Sequence, residues 1–231
     1  YDIIDAKVVR YGEIVVCLFE HCNLKCVFCP QDHKSILGAS HDEIMAKVDP
    51  IVEWINNNPR KQSYKIHIMG GELFQDRWIE DGFIDTYEDF INAIDKQTEA
   101  DIYFNFITNL CFDNVTEVMY FLARNDLKFS ISYDPAGRFS KSDLDKFTRN
   151  IRYFQDYIEM VSLVATKQNI DKIIEGDQIF EALYTNYTCD FDHFLPSVAT
   201  SRVLMPSERD LFEFYKVLVN KYPRCLNIDN F

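Results

Sequence analysis

Glu13-Ile14-Val15-Val16-Cys17-Leu18-Phe19 is a short apolar run rich in β-branched residues, and it stops at a long, more polar stretch, residues 20–39. Such a run reads as a buried strand feeding a loop. The pattern recurs along the chain. Tyr64–Met69 alternates about Ile66 and Ile68 and ends at Gly70-Gly71; Ile102–Thr108, Lys128–Asp134, Glu159–Ala165 and the weaker Phe191–Leu195 read as further strands. Stripes of helical spacing lie between them. Ser40 and Glu43 form a capping-box pattern ahead of Ile44, Val48, Ile51, Val52 and Ile55, and Pro50 predicts a kink or restart there. Tyr87, Phe90, Ile91 and Ile94 make a second stripe. Val115, Val118, Met119 and Leu122 make a third, capped by Asn114, and Leu144, Phe147, Ile151 and Phe154 a fourth. Ile170–Tyr184 is interrupted at Gly176, and the last stripe, Leu211, Phe214, Tyr215 and Leu218, follows Ser207.

Six strand–helix units in series imply a parallel sheet with right-handed crossovers. A closed eight-stranded barrel usually takes about 250 residues; this chain has 231. The predicted fold class is α/β, an open, partial parallel (β/α)6 barrel, in one domain over residues 1–231. Ligands of such sheets sit at the carboxyl ends of the strands, so the loops after each strand are the candidate site.

Composition narrows the function classes. An apolar content of 47% with 15% aromatic residues predicts a packed core. A net charge of −13 repels phosphate backbones and makes nucleic acid an unlikely partner. No apolar run reaches membrane-spanning length, so no membrane association is predicted. No signal peptide is visible at Tyr1, and the absence of an initiator Met predicts trimming. Seven cysteines, an odd number, fit a disulfide framework poorly and favour a reducing, cytoplasmic setting with a metal or redox site.

Three of those cysteines fall in the loop after the first strand, in Cys22-Asn23-Leu24-Lys25-Cys26-Val27-Phe28-Cys29-Pro30. Three thiolates at C-x3-C-x2-C spacing can bind three irons of a cubane cluster and leave the fourth open. Zinc is the competing reading, with His21 or His33 as a fourth ligand. A thioredoxin-like pair would leave Cys22 unexplained. Spacing alone leaves iron–sulfur and zinc evenly matched.

The stretch resembles the signature of the radical S-adenosylmethionine (SAM) superfamily, C-x3-C-x-aromatic-C, and sits after strand one, where that family places it. The resemblance implies a partial barrel of the radical SAM type in which Cys22, Cys26 and Cys29 ligate a 4Fe–4S cluster. It implies that SAM binds the open iron, with Phe28 near the adenine. Met69-Gly70-Gly71-Glu72 is similar to the family's Gly-Gly-Glu motif, which contacts the SAM amino group, although Leu73-Phe74 follows where many relatives have Pro. Two glycines also let backbone come close to a ligand. Thr108-Asn109-Leu110 departs from a Thr-Asn-Gly pattern. On strand four, Ser130, Ser132 and Asp134 alternate with Phe129, Ile131 and Tyr133, and polar residues on one face predict a lined cavity. By resemblance, Ser130 or Ser132 contacts the SAM ribose or carboxylate, and Asp134 the ribose or substrate. The adenine side has the weakest match, at Val164-Ala165-Thr166.

The chemistry so implied is reductive cleavage of SAM to a 5′-deoxyadenosyl radical that abstracts hydrogen from a substrate, with a flavodoxin- or ferredoxin-like electron donor. The favoured substrate is a peptide or protein. A small molecule or nucleobase, as in deazapurine synthesis, and a non-catalytic zinc- or cluster-binding module are the alternatives. Of the remaining residues, Cys17 reads as a buried small hydrophobe, Cys111 as structural, His67 as a core or pore histidine, and Asp76–Asp81 as a solvated acidic loop. Cys189 precedes the sixth strand. Cys225 reads as a lone surface or interface cysteine; the competing reading makes residues after about 222 the start of a C-terminal extension that holds further clusters.

Overall fold

The computed structural model describes residues 12–58, 63–196 and 202–226. Six strands, β1 (Gly12–Cys17), β2 (Ser63–Met69), β3 (Asp101–Thr108), β4 (Lys128–Ser132), β5 (Ile158–Val164) and β6 (Asp190–Phe194), lie in sequence order in one sheet. Every neighbouring pair is parallel. The result is the open half-barrel expected, each strand within a residue or two of its sequence reading. The connections carry α1 (His41–Met45), α2 (Val48–Asn56), α3 (Asp76–Glu80), α4 (Phe83–Gln97), α5 (Val115–Arg124), α6 (Lys141–Tyr153), α7 (Lys167–Glu175), α8 (Gln178–Asn186) and α9 (Glu208–Lys221). None is long and apolar enough to cross a membrane.

Local chemistry explains most boundaries. Pro50 falls in the first turn of a new helix, α2, where its missing N–H costs nothing. Gly176 ends α7 in the left-handed region at φ 93°, and Asp177 caps α8. Ser140 and Ser207 each close a reciprocal capping box, with Asp143 and Asp210. Asn114 differs from expectation: its side chain makes no cap. Asp76 fixes the turn before the helix, its Oδ1 accepting from the amides of Asp113 and Asn114 at 2.7 and 2.8 Å. The segment from Asp76 is therefore a short helix whose Asp76 braces the next loop, while Glu80 and Asp81 are exposed to solvent as expected.

Strand register divides the sheet into two faces. Ile66, Ile68, Phe106, Phe129, Ile131, Val161 and Leu163 are buried beneath the helices. Phe74 anchors this side; its ring lies 5.7–6.3 Å from those of Phe106, Phe112, Tyr87, Phe121 and Phe129. A buried aromatic ring of this kind is worth about 1.5–3 kcal/mol. The opposite, helix-free face carries Val15, Cys17, His67, Asn105, Ile107, Ser130, Ser132, Ser162 and Asp192. Cys17 is exposed on it, against the expectation of burial. Its parity pairs it with Val15, and among the described residues no helix covers that side. Cys225 is the reverse case, buried in a turn of 3-10 helix after α9.

Candidate cofactor site

The loop after β1 returns to the sheet through backbone bonds. Leu18 N–H extends the ladder to Met69 O at 2.8 Å, and Cys22 N–H donates to His33 O at 3.2 Å. Leu24, Cys26 and Phe28 are buried, so the loop has a small core of its own. Asn23 ties it to the corner after β3: its Nδ2 donates to Cys111 O at 2.7 Å and its Oδ1 accepts from Asn109 Nδ2 at 2.8 Å.

The Gly-Gly turn is shaped by this loop. Gly71 N–H donates to Phe19 O and Glu72 N–H to His21 O, at 2.8 and 3.0 Å. A Cβ on Gly71 would stand 2.0 Å from His21 O and 2.2 Å from Glu20 O. Close approach of backbone to backbone, rather than to a ligand, thus requires glycine at this position. Gln75, buried beneath, donates Nε2 to both His21 O and Glu72 O, at 3.0 and 2.9 Å.

Cys22, Cys26, Phe28, Cys29, Gly70, Gly71, Thr108, Asn109 and Ser132 all line one cavity of about 280 Å³ at the carboxyl ends of the strands. Gln31, His33, Val164, Leu195 and Arg138 complete much of its wall. Three residues named from the sequence lie off that wall. Glu72 is wholly buried; its Oε1 accepts from Thr108 Oγ1 at 2.8 Å and Phe74 N at 3.0 Å, and its Oε2 from Asn109 N at 2.6 Å. The carboxylate is a strut that fixes the Thr108–Asn109 corner. Burial pushes its pKa up, against the pull of those donors. Asp134 is also buried. Its Oδ1 accepts from Val164 N and Asn169 Nδ2, and its Oδ2 from Arg138 Nε at 2.6 Å. Ser130 donates to Asn105 Oδ1 at 2.8 Å, and Asn105 Nδ2 donates to Glu159, which pairs with Lys65. It belongs to a polar floor deeper in the half-barrel.

Arg138 was not singled out in the sequence. Its guanidinium faces the cavity, 5.3 Å from the Phe28 ring centre, with Asp134 holding it from behind. It is the wall's permanent cation, and it draws the Cys22 and Cys26 thiols downward. Burial outweighs it and pushes Cys22 up to about 12, with the Glu72 charge adding to the rise. Cys22 Sγ nonetheless accepts from Leu24 N–H at 3.4 Å and faces Asn109 Nδ2 at 3.8 Å. N–H groups aimed at a sulfur suit a metal-bound thiolate. Leu110 sits in the left-handed region at φ 61° and is fully buried. Among the described residues, no three His, Cys, Asp or Glu side chains gather tightly enough for one ion. The thiols surround a space instead. Three thiol donors, N–H support and a nearby cation together fit an iron–sulfur cluster with an anionic ligand.

No family model matches the chain, and no curated protein matches it. Solved structures do. A tagged form of anSMEcpe, an anaerobic sulfatase-maturating enzyme of the radical SAM type, with bound AdoMet matches with a TM-score of 0.66 at 15% identity, over 90% of this chain and 58% of that one. The native enzyme with AdoMet gives 0.63 at 15% identity, over 92% and 63%. Its complex with AdoMet and the Cp18Cys peptide gives 0.64 at 15% identity, over 92% and 62%. The chain thus spans about three-fifths of the length of those chains, and what it shares with these radical SAM enzymes, at that identity, is the fold.

Proposed function

We propose that the protein is a radical SAM enzyme whose Cys22, Cys26 and Cys29 hold a 4Fe–4S cluster. The observation that carries this reading is the convergence of those three thiols with Gly70, Gly71, Thr108, Asn109, Ser132 and Arg138 on one cavity at the carboxyl ends of a six-stranded half-barrel. When bound, the cluster and SAM supply an electron and a carbon-centred radical that takes hydrogen from the substrate. The chain's own groups hold and orient. Arg138, fixed by Asp134, offers its guanidinium to a carboxylate. Phe28 and Val164 give an apolar wall for a purine ring. Ser132 offers a hydrogen bond to a hydroxyl. The buried corner of Glu72, Thr108 and Asn109 keeps that wall in register.

A peptide or protein is the substrate we favour. Among the described residues, Val15, Phe194 and Leu195 are exposed on or next to the helix-free face beside the cavity. One fold neighbour was solved with a peptide bound. A small-molecule or nucleobase substrate is the competing case, and a flavodoxin- or ferredoxin-like protein is the proposed electron donor. The test is anaerobic reconstitution, dithionite reduction and assay for 5′-deoxyadenosine. The wild type should cleave SAM and Cys26→Ala should not; a fully reconstituted wild type without cleavage would overturn the reading.

One observation keeps zinc in view. His33 Nδ1 is buried without a partner and His33 lines the same cavity, whereas His21 Nδ1 is engaged with Gln75 Oε1 at 3.1 Å. Metal analysis after aerobic and anaerobic purification separates the two: stoichiometric zinc that iron and sulfide do not displace supports the binding module.

A further inference from the structure

On the helix-free face a row of side chains runs from the cofactor cavity to the edge of the sheet. Ser132, the last residue of β4, stands in register with Ser162 on β5, and Ser162 with Asp192 on β6. All three are half-buried. Ser132 lines the cavity itself. With strands about 4.8 Å apart, Asp192 stands about 10 Å from it. The next row toward the rim is apolar: Val164, also on the cavity wall, pairs with Phe194, which is exposed.

Asp192 differs from the other acidic groups near this chamber. Glu159 is met by Lys65 and Asn105, Asp134 by Arg138, and Glu72 by three donors. Among the described residues the Asp192 carboxylate takes one bond, its Oδ1 accepting from the amide of His193 at 2.8 Å, and it forms no ion pair. That bond fixes the carboxylate and leaves Oδ2 open. His193 itself turns toward α9, its Nε2 lying 2.8 Å from Tyr215 Oη, and burial pushes its pKa down, so it stays neutral at pH 7.

A fixed carboxylate without a counter-ion, beside hydroxyls and an exposed aromatic ring, is the complement of an organic cation. A metal ion would want several hard ligands, and among the described residues no three such side chains gather. A Lys or Arg side chain suits both rows. Its head pairs with Asp192, a remaining N–H reaches Ser162, and its hydrocarbon stem lies on Val164 and Phe194. A residue at the cavity and one whose head reaches Asp192 are separated by about three positions or fewer in an extended peptide.

We propose that Asp192 is a specificity-determining residue that anchors a Lys or Arg side chain of a peptide substrate, close in sequence to the position that loses hydrogen. This role rests on the peptide reading above and narrows it from any peptide to one with a basic residue beside the reacting one.

The test uses the full chain, reconstituted anaerobically and loaded with SAM, against a displayed library of random peptides. Wild type should enrich Lys or Arg at one position. Asp192→Lys should enrich Asp or Glu there instead. Glu53→Lys makes the same charge change on the exposed side of α2 and should keep the wild-type preference. Fluorescence anisotropy then follows the best wild-type peptide. Asp192→Asn, which keeps an acceptor for the His193 amide, should weaken its binding about tenfold. Norleucine in place of the basic residue should weaken binding to wild type by about the same factor, and the two changes together should cost no more than either alone. A consensus without a basic residue, basic enrichment that survives in Asp192→Lys, an equal shift in Glu53→Lys, or additive losses would overturn the proposal and leave the peptide reading standing. A pool with no enrichment at any position would overturn the peptide reading and this proposal together, while release of 5′-deoxyadenosine tests the cofactor reading separately.

Discussion

The loops that follow β1, β2 and β3 are stitched together by backbone: Gly71 and Glu72 donate to Phe19 and His21, Gln75 bridges His21 O to Glu72 O, and Asn109 reaches both Glu72 and Asn23. The loops after β4, β5 and β6 meet differently. Asp134 gathers Arg138, Val164 N and Asn169, Ala165 N–H donates to Phe194 O, and beyond that point Phe194 and Leu195 are exposed. One half of the rim is a dense weld of backbone and buried amides. The other is gathered by Asp134 and the buried Asn169, which also links Ala136 N to Val164 O, and among the described residues it ends in an exposed apolar edge. On the proposed function the difference separates two tasks: the weld would hold three thiols at fixed spacing, and the exposed edge would receive a substrate.

The weld should be the harder half to alter. Gly71→Ala places a methyl carbon at 2.0 Å from His21 O. It should cost about 3 kcal/mol or more, since neither backbone can yield. Gly82→Ala, where nothing lies within 4 Å but φ is +82°, should cost only about 1 kcal/mol. Urea denaturation of the two variants measures the contrast, and equal losses would break it. Next in size, Asp134→Asn removes the anion behind Arg138. A loss of about 2–3 kcal/mol is expected, less than for a fully buried pair because Arg138 reaches the cavity. SAM affinity should fall with it, and an unchanged affinity would remove Arg138 from the carboxylate site.

Proton competition gives a third test of the welded half. Burial holds the Cys22 thiol at about 12, so in the empty protein it is protonated through the neutral range. Iron or a cobalt probe must displace that proton, and apparent metal affinity should rise steadily from pH 6 to pH 8 by about tenfold per unit for each thiol displaced. Titration of the cobalt–thiolate absorption at several pH values reads this directly; a flat profile would mean the thiols are already ionised. The smallest effect on stability belongs to the open edge. Phe194→Ser should change it by about 0.5 kcal/mol or less, yet weaken a peptide substrate if that edge receives one.

Much of this was legible in the chain. The strands are visible because the sheet's helix-covered face demands an apolar residue at every second position, and the cysteine spacing and Gly-Gly turn mark the loops of the candidate site. What escaped was long-range. Asn114 has the residue type of a cap but its side chain makes none, and a carboxylate at the start of α3, Asp76, fixes the turn before the helix. Glu72 and Asp134 have the residue types of ligand contacts, and both are turned inward to fix neighbours. Arg138 and Gln31 sit in ordinary loop sequence and gain meaning only where the fold brings them to the cavity. Cys17 reads as buried because it lies in an apolar run, and only the open side of the half-barrel exposes it.

The central claim is that Cys22, Cys26 and Cys29 hold a cluster whose open iron meets SAM. Electron paramagnetic resonance of the anaerobically reconstituted, dithionite-reduced protein, with and without SAM, tests it most directly. The account predicts a reduced 4Fe–4S signal that changes shape when SAM is added and is absent from Cys26→Ala. A protein that retains zinc and gives no such signal, or a cluster signal that SAM leaves untouched, would contradict it.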